Sequence, residues 1–314
     1  MKDAAVYPGQ GAQAVGMGRD FIDYDPIYRE TFDEASQTLG FDLLKLCLEG
    51  PEDQLTLTYH AQPAILTMSI AIWRIIQNRI AWQPAFVAGH SLGEYAALVA
   101  AGALPFADAV RLVYYRGRFM QEAVPVGIGA MAAIIGLDDE TVTAVCNEIH
   151  QPDAVVQPAN FNAPGQVVIA GHKEAVVRAA EKLKSLKARV IPLKVSAPFH
   201  TILMKPAEER LAELIDIAPW SDLAIPWFNN VTAEPIRDAT LARETLKRQI
   251  TAPVLWTRIV EGLVAHGVDR FVEIGPGRIL AGLIRRTLKT IPCVSINQVE
   301  ALETFLNALS QDQS

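Results

Sequence analysis

The stretch "FVAGHSLGEYAALVAAG", residues 86–102, joins a short apolar run to an apolar repeat at helical spacing, with Ser91 between two glycines. Residues 86–88 are typical of the end of a buried strand. Gly102 then closes a repeat with the i, i+3, i+4, i+7 spacing of a helix, carried by Leu92, Tyr95, Ala96 and Val99. The pattern therefore places Ser91 at a strand-to-helix corner.

A Gly-x-Ser-x-Gly sequence at such a corner is typical of a nucleophile elbow. The two glycines let strand and helix pass closely, and the turn points the serine hydroxyl outward near the helix N-terminus. The backbone N–H of Leu92, the next residue, would then stabilise an oxyanion. The alternative is a tight turn whose serine only caps the helix. The strand before Ser91 and the helix after it favour the nucleophile.

The composition is that of an ordinary soluble globular protein. Of 314 residues, 50% are hydrophobic and 20% charged, which is enough for a large core and, by length, about two domains. The formal net charge of −7 argues against general nucleic-acid binding. The most apolar segment, residues 61–82, contains polar residues and Arg74, so we predict a buried central helix rather than a membrane span.

The chain start and the cysteines carry little functional information. The first residues, "MKDAAVYPGQG", enter a strand without the features of a signal or transit peptide, so we expect a cytoplasmic protein. Cys47, Cys146 and Cys293 are odd in number and widely spaced among aliphatic residues. We therefore predict neither a disulfide framework nor a metal site.

The pattern of predicted strands and helices differs between two parts of the chain. Strand-like segments at 4–7, 86–88 and 270–274 alternate with helical patterns, which predicts an α/β body with a mostly parallel sheet covered by helices. Between residues 126 and 195 the order becomes β, α, β, β, α, β, typical of a ferredoxin-like unit inserted in the larger domain. The expected organisation is a body of residues 1–125 and 196–314 with an inserted subdomain, 126–195.

A serine nucleophile needs a base, and the chain has six histidines. His200 is the best candidate, because it lies in a loop between a strand and an amphipathic helix, where α/β proteins carry chemistry. The elbow should point His90 away from the hydroxyl, and the others occupy ordinary positions. No acidic residue stands out as a third member. A backbone carbonyl can hold the histidine Nδ1–H instead, so a Ser91–His200 dyad is possible.

Arg116 occupies an unexpected place in the predicted helix 105–123. Arg111 and Arg118 point to its polar side, whereas Arg116 flanks the apolar stripe. A guanidinium cannot lose its proton and is costly to bury unpaired, so Arg116 should meet a carboxylate, carbonyl groups or a ligand anion. A structural salt bridge, or a stem that reaches water, is the alternative.

Taken together, the segments resemble the malonyl-CoA:acyl carrier protein transacylases, the acyltransferases of fatty acid and polyketide synthesis. The resemblance covers almost the whole chain, through the blocks "YPGQGAQ", "AQPA", "GHSLGEYAAL", "YYRGRFMQ", "NFNAPGQVVIAG", "SAPFH", "NNV", "RQITAPVLW" and "EIGPGRIL". It implies an α/β-hydrolase-like body with a ferredoxin-like insertion. It also implies transfer of malonyl from malonyl-CoA to the phosphopantetheine thiol of an acyl carrier protein, with no cofactor bound by the enzyme.

The resemblance also implies roles for single residues. Ser91 would accept the acyl group, with His200 as its base and the N–H groups of Gln10 and Leu92 as the oxyanion hole. Arg116 would bind the malonyl carboxylate. Gln249 would orient His200 through its main-chain carbonyl. Gln62 would line the pocket, and Phe199 would select malonyl.

Three other functions fit parts of the sequence. "GQGAQA", residues 9–14, fits a dinucleotide-binding fingerprint, but the residues at 26–39 look helical where a Rossmann unit needs a strand. A serine hydrolase that clears acyl groups from carrier proteins would use the same Ser91 and His200. A docking module with a dead site is disfavoured by the intact Ser91, His200 and Arg116.

Carrier proteins of this pathway are acidic, and this chain is acidic too, so a local basic surface would have to attract the partner. The first candidate follows "EIGPGRIL", where a helix brings together Arg285, Arg286 and Lys289. The second is the cluster of Lys184, Lys187 and Arg189. Cations near a solvated helix end are the alternative explanation.

Overall fold

The computed structural model describes residues 1–195 and 197–312. Ser196, at which the second body segment and the "SAPFH" block were expected to begin, lies outside the described residues. The strands are β1 (Asp3–Tyr7), β2 (Phe86–Gly89), β3 (Gly129–Ile135), β4 (Val156–Ala163), β5 (Gln166–His172), β6 (Arg189–Pro192), β7 (Trp227–Phe228), β8 (Pro235–Ile236), β9 (Arg270–Ile274) and β10 (Cys293–Ile296).

The helices cover both sheets. They are α1 (Pro26–Leu39), α2 (Leu43–Glu49), α3 (Glu52–Leu55), α4 (Thr58–Ile80), α5 (Gly93–Ala100), α6 (Phe106–Glu122), α7 (Asp139–Ile149), α8 (Lys173–Ser185), α9 (Lys205–Ile217), α10 (Ala239–Arg248), α11 (Trp256–Ala265), α12 (Ile279–Thr287) and α13 (Val299–Asp312). Short 3₁₀ turns span Arg19–Phe21 and Ile202–Met204.

The body is built on a six-stranded sheet in the order β10-β9-β1-β2-β7-β8. All neighbouring strands are parallel except β7 and β8. The three strands predicted from the sequence are β1, β2 and β9, and they form the centre of this sheet. The prediction of a mainly parallel α/β sheet is therefore confirmed. As expected, the helix α1 lies at residues 26–39, where a Rossmann unit would have its second strand. The fingerprint at residues 9–14 therefore lacks the strand that dinucleotide binding requires.

The helix α4 is the central buried helix predicted from residues 61–82. Residues 61 to 73 are all buried, including the polar Thr67 and Ser69. Within the described part of the chain, no helix is long and apolar enough to cross a membrane.

The second sheet is antiparallel, in the order β4-β5-β3-β6. Because side chains alternate along a strand, β3 faces two cores. Ala132 and Ile134 pack with α7 and α8, whereas Met131 and Ala133 join the main core of the body. The inserted sheet is also tied to the body by a short bridge, in which the Phe161 N–H donates to Val254 O and the Val254 N–H to Ala159 O, both at 2.9 Å.

The corner between β2 and α5 requires its two glycines. A Cβ on Gly89 would lie 1.9 Å from the carbonyl carbon of Gly93, and one on Gly93 would lie 2.1 Å from the Tyr7 oxygen. The helix therefore starts in direct backbone contact with β1 and β2. Almost all of α5 is buried, including Ala97 and Leu98 outside the predicted apolar stripe, because the helix is covered on all sides.

Candidate active site

Ser91 lies at the corner with a backbone φ of 51°, in the left-handed region that non-glycine residues rarely adopt. Its N–H donates to Asn230 Oδ1 at 2.7 Å, and Asn230 Nδ2 donates to Gly89 O at 2.7 Å. Asn230 thus holds the turn from both sides. This restraint keeps the serine in a conformation that the free backbone would avoid.

His200 lies in the loop before α9, and its Nε2 is 2.7 Å from Ser91 Oγ. Its Nδ1 lies 3.0 Å from Gln249 O and 3.1 Å from Ala252 O. Two carbonyl acceptors at Nδ1 require a proton there, so Nε2 is left to accept from the serine hydroxyl. Burial lowers the pKa of His200 to about 3, and the charge of Arg116 acts in the same direction. The imidazole is therefore neutral at pH 7.

Arg116 reaches the same oxygen from α6. Its Nη2 donates to Ser91 Oγ at 3.0 Å and to Gln249 Oε1 at 2.9 Å. The side chain is 1% exposed, as its place beside the apolar stripe predicted, whereas Arg111 and Arg118 are exposed. Burial lowers the pKa of Arg116, and the neighbouring Tyr95 and Glu94 oppose that shift. The buried Nε has no hydrogen-bond partner in the described residues.

Gln249, which directly follows α10, connects the three groups. Its main-chain carbonyl accepts from His200, and its Nε2 donates to Ser91 O at 2.7 Å and to Glu94 Oε2 at 2.8 Å. Glu94 is fully buried, and its Oε1 accepts from the Asn230 N–H at 2.6 Å. Burial raises the pKa of Glu94 to about 8, against the lowering effect of these hydrogen bonds and of Arg116.

The two other residues expected to line the pocket are both buried. Gln62 is fully buried on α4, with Nε2 3.5 Å from Gln10 Oε1 and 3.8 Å from Met120 Sδ, and its Oε1 is unpartnered in the described residues. Phe199 is 8% exposed beside His200.

The two N–H groups proposed for the oxyanion hole come from neighbouring loops. The loops after β1 and β2 touch, because a Cβ on Gly9 would lie 2.5 Å from His90 O. This contact places Gln10 next to the elbow that carries Leu92. Neither the Gln10 N–H nor the Leu92 N–H donates to an acceptor in residues 1–195 and 197–312. His90 itself turns away and binds Asn162 Oδ1 through Nε2 at 2.7 Å, as expected.

The candidate docking residues lie elsewhere. Arg285 and Arg286 are exposed on α12, but Lys289 lies beyond the helix, because Leu288 is extended and ends it. The three line a groove of about 730 Å³ between α12 and the inserted sheet. Arg286 Nη1 donates there to Gln166 Oε1 at 2.9 Å.

Sequence reasoning missed two residues of the network, Glu94 and Asn230. The one indication for Glu94 is that it is the only charged residue in an otherwise apolar helical segment, although its position opposite the predicted apolar stripe favours exposure. Asn230 had no such indication beyond its place in the "NNV" block, since its partner Ser91 is 139 residues away. Among the described residues, no group of three or more His, Cys, Asp or Glu side chains could hold a metal ion.

A serine, a neutral histidine and a buried arginine around one oxygen are suited to acyl transfer, and residues 5–311 match the family described as the acyl transferase domain. The chain belongs to this family and is an acyltransferase. It is similar to the malonyl CoA-acyl carrier protein transacylase of Salmonella typhimurium, with 50% identity over 96% of this chain and 98% of the relative. The Bacillus subtilis protein of the same name is 44% identical, over 99% and 98%.

Solved structures of proteins with related names have the same fold as this chain. A malonyl-transacylase in complex with its type II PKS acyl-carrier protein has a TM-score of 0.96 and 46% identity, with 98% of this chain and 100% of that chain covered. An acyl carrier protein S-malonyltransferase from Vibrio cholerae has a TM-score of 0.95 and 47% identity, over 97% and 100%.

The His200 imidazole should stay neutral over the range in which a free histidine titrates. We expect its NMR signals, assigned with a His200→Ala variant, to show no titration between pH 8 and about pH 5, since its pKa lies near 3. The unfolded chain takes up this proton near pH 6.5. Stability should therefore fall as pH drops below that value. A midpoint near 6.5 in the folded protein would contradict the assignment.

Proposed function

We propose that the chain transfers a malonyl group from malonyl-CoA to the phosphopantetheine thiol of an acyl carrier protein through a malonyl ester on Ser91. The observation that carries this proposal is the buried guanidinium of Arg116, 3.0 Å from the nucleophilic oxygen. A cation at that distance suits an acyl group that itself ends in a carboxylate. The curated relatives bear the name of this activity.

In the first half-reaction, His200 Nε2 takes the proton from Ser91 Oγ as the oxygen attacks the thioester carbon. The N–H groups of Leu92 and Gln10 stabilise the resulting oxyanion. The tetrahedral intermediate then collapses, the carbon–sulfur bond breaks, and His200 returns its proton to the leaving CoA sulfur. The malonyl ester of Ser91 remains.

In the second half-reaction, the phosphopantetheine thiol gives its proton to His200 and its sulfur attacks the ester carbonyl. The bond between that carbon and Ser91 Oγ breaks, and Oγ regains the proton from His200. The two substrates, Ser91 and His200 supply every reacting group, so the proposed cycle needs no resident cofactor. The neutral His200 serves as base in both directions, with Nδ1–H held by the carbonyls of Gln249 and Ala252.

Selection of malonyl rests on three side chains. The guanidinium fork of Arg116 would bind the free carboxylate in two places, and an acyl group ending in a methyl would leave the cation unpaired. The unpartnered Oε1 of Gln62 shows that its amide still has hydrogen-bonding capacity. Phe199 would narrow the pocket beside His200.

The domain division is also a proposal. Strand order β4-β5-β3-β6, with α7 and α8 packed on one face, supports a ferredoxin-like subdomain at 126–195. The parallel sheet and its serine corner support an α/β-hydrolase-like body formed by residues 1–125 and 196–314.

The nucleophile is tested by intact-mass measurement after mixing with malonyl-CoA. We expect the wild-type protein to gain one malonyl group and Ser91→Ala to gain none, since Ser91 alone is proposed as the acyl acceptor. The wild-type adduct should persist in water and be lost when holo carrier protein is added. A hydrolase would instead lose the adduct without carrier protein. An adduct on Ser91→Ala would place the nucleophile elsewhere.

Arg116→Ala should weaken malonyl transfer far more than acetyl transfer. Loss of one partner of a buried charge pair costs about 2 to 5 kcal/mol, so kcat/KM for malonyl-CoA should fall about 30-fold to several thousand-fold. Steady-state kinetics with malonyl-CoA and acetyl-CoA measure both losses. Arg118→Ala, an exposed change on the same helix, is the matched control. Equal losses for the two acyl groups would make Arg116 structural.

The docking surface is tested by charge reversal. Arg285→Glu with Arg286→Glu should raise the KM for carrier protein and flatten its salt dependence, while acylation by malonyl-CoA stays near the wild-type rate. Lys184→Glu with Lys187→Glu makes the same change in net charge at the second basic cluster. Whichever pair alone raises the KM marks the docking site, and unchanged kinetics in the first pair would reject it.

A further inference from the structure

Glu94 is a fully buried carboxyl group three residues after Ser91, on the first turn of α5. The reaction as derived above does not use it. A carboxylate is costly to bury unless hydrogen bonds or a counter-charge compensate. Its contacts therefore indicate what it does.

Both oxygens of Glu94 accept hydrogen bonds from groups that hold the active site. Oε1 accepts from the Asn230 N–H at 2.6 Å, and Oε2 accepts from Gln249 Nε2 at 2.8 Å. The second contact, together with the bond from the same Nε2 to Ser91 O at 2.7 Å, fixes which way the Gln249 amide points. With Nε2 toward Glu94, the amide oxygen faces Arg116 Nη2 at 2.9 Å.

Glu94 and Arg116 are thus separated by one neutral amide. Arg116 makes no ion pair with a carboxylate in the described part of the chain. A carboxylate in direct contact would compete with a substrate carboxylate for the guanidinium. The intervening amide instead orients the cation and leaves its charge available.

We propose that Glu94 is a positioning residue for malonyl selectivity, acting on Arg116 through the side-chain amide of Gln249. The inference rests on the proposed function, because it takes Arg116 as the group that binds the malonyl carboxylate. Glu94 touches no reacting atom. Its effect is to keep the guanidinium in one orientation.

The substitution Glu94→Gln retains the size of the side chain and breaks this arrangement. The new amide must keep an oxygen toward the Asn230 N–H, so its NH₂ group faces Gln249 Nε2, donor against donor. A rotated Gln249 amide would relieve that contact but point NH₂ at Arg116 and oxygen at the Ser91 carbonyl. Without rotation, the Gln249 oxygen still faces Arg116 but the amide is no longer held by a hydrogen bond to residue 94; with rotation, Arg116 loses this acceptor.

The experiment measures acylation of the enzyme by malonyl-CoA and by acetyl-CoA, using rapid quench and intact mass without carrier protein. Glu94→Gln should lower the malonyl rate constant about 10- to 100-fold and the acetyl rate constant by much less. Glu273→Gln is the matched control. Glu273 is equally buried and accepts from Leu280 N, Ala281 N and Ser295 Oγ, but it has no contact with Gln249 or Arg116. It should leave the malonyl-to-acetyl ratio unchanged.

A double-mutant cycle distinguishes a positioning role of Glu94 from a general loss of acylation activity. In an Arg116→Ala background, Glu94→Gln should lower malonyl acylation by less than about twofold, because the group it positions is gone. Equal factors in both backgrounds, or an unchanged acyl ratio in Glu94→Gln, would overturn the proposal.

If Glu94→Gln does not fold, Glu94→Asp replaces it. The aspartate keeps the carboxyl group but withdraws it by one methylene, and the acyl ratio should shift in the same direction by a smaller factor. An unchanged ratio in Glu94→Asp would likewise overturn the proposal. Failure of the wild-type protein to form a malonyl adduct would instead refute the proposed function itself.

Discussion

A guanidinium that cannot lose its proton is buried beside the serine hydroxyl, and the polar side chains around it are arranged to accommodate that charge. Arg116 lowers the pKa of His200, which reinforces the effect of burial and keeps the imidazole neutral. It donates a hydrogen bond to the amide oxygen of Gln249, and behind that amide lies the carboxyl group of Glu94. In the free protein, the guanidinium is therefore hydrogen-bonded only to neutral acceptors among the described residues, and its charge is only partly compensated. A carboxylate ligand would complete that solvation, whereas a neutral acyl group would not.

The parallel sheet brings these groups together. In parallel strands the carboxyl ends meet at one edge, where loops carry ligand-binding groups in open α/β sheets. The loop after β1 carries Gln10, the turn after β2 carries Ser91, and the segment after β7 carries Asn230. These three strands are adjacent or next-but-one in the sheet, so segments distant in sequence become neighbours. The close contacts of Gly89 and Gly93 between β2, α5 and β1 then restrict the backbone conformation of the turn that carries Ser91.

Local patterns were sufficient to predict the central strands, the buried helix α4 and the corner at Ser91, since each depends on residues a few positions apart. Helical spacing also set Arg116 apart from Arg111 and Arg118 on the polar side of the same helix. The hydrogen-bond network could not be found in this way, because Glu94 and Asn230 meet across 136 residues. Lys289 was misplaced for a local reason: Leu288 turns extended and ends α12 before it. The roles of the site residues, the domain boundaries and the docking surface stay predictions that only experiments on the protein will test.

The bridge between the inserted sheet and the body lies close to the base. Val254, which pairs with β4, is two residues from Ala252, whose carbonyl holds His200 Nδ1 at 3.1 Å. Because only Pro253 separates Ala252 from Val254, a displacement of the inserted sheet relative to the six-stranded sheet would be transmitted to the carbonyl of Ala252. The junction therefore couples the position of the inserted sheet to the carbonyl that orients His200, although no atom of the bridge takes part in the proposed chemistry.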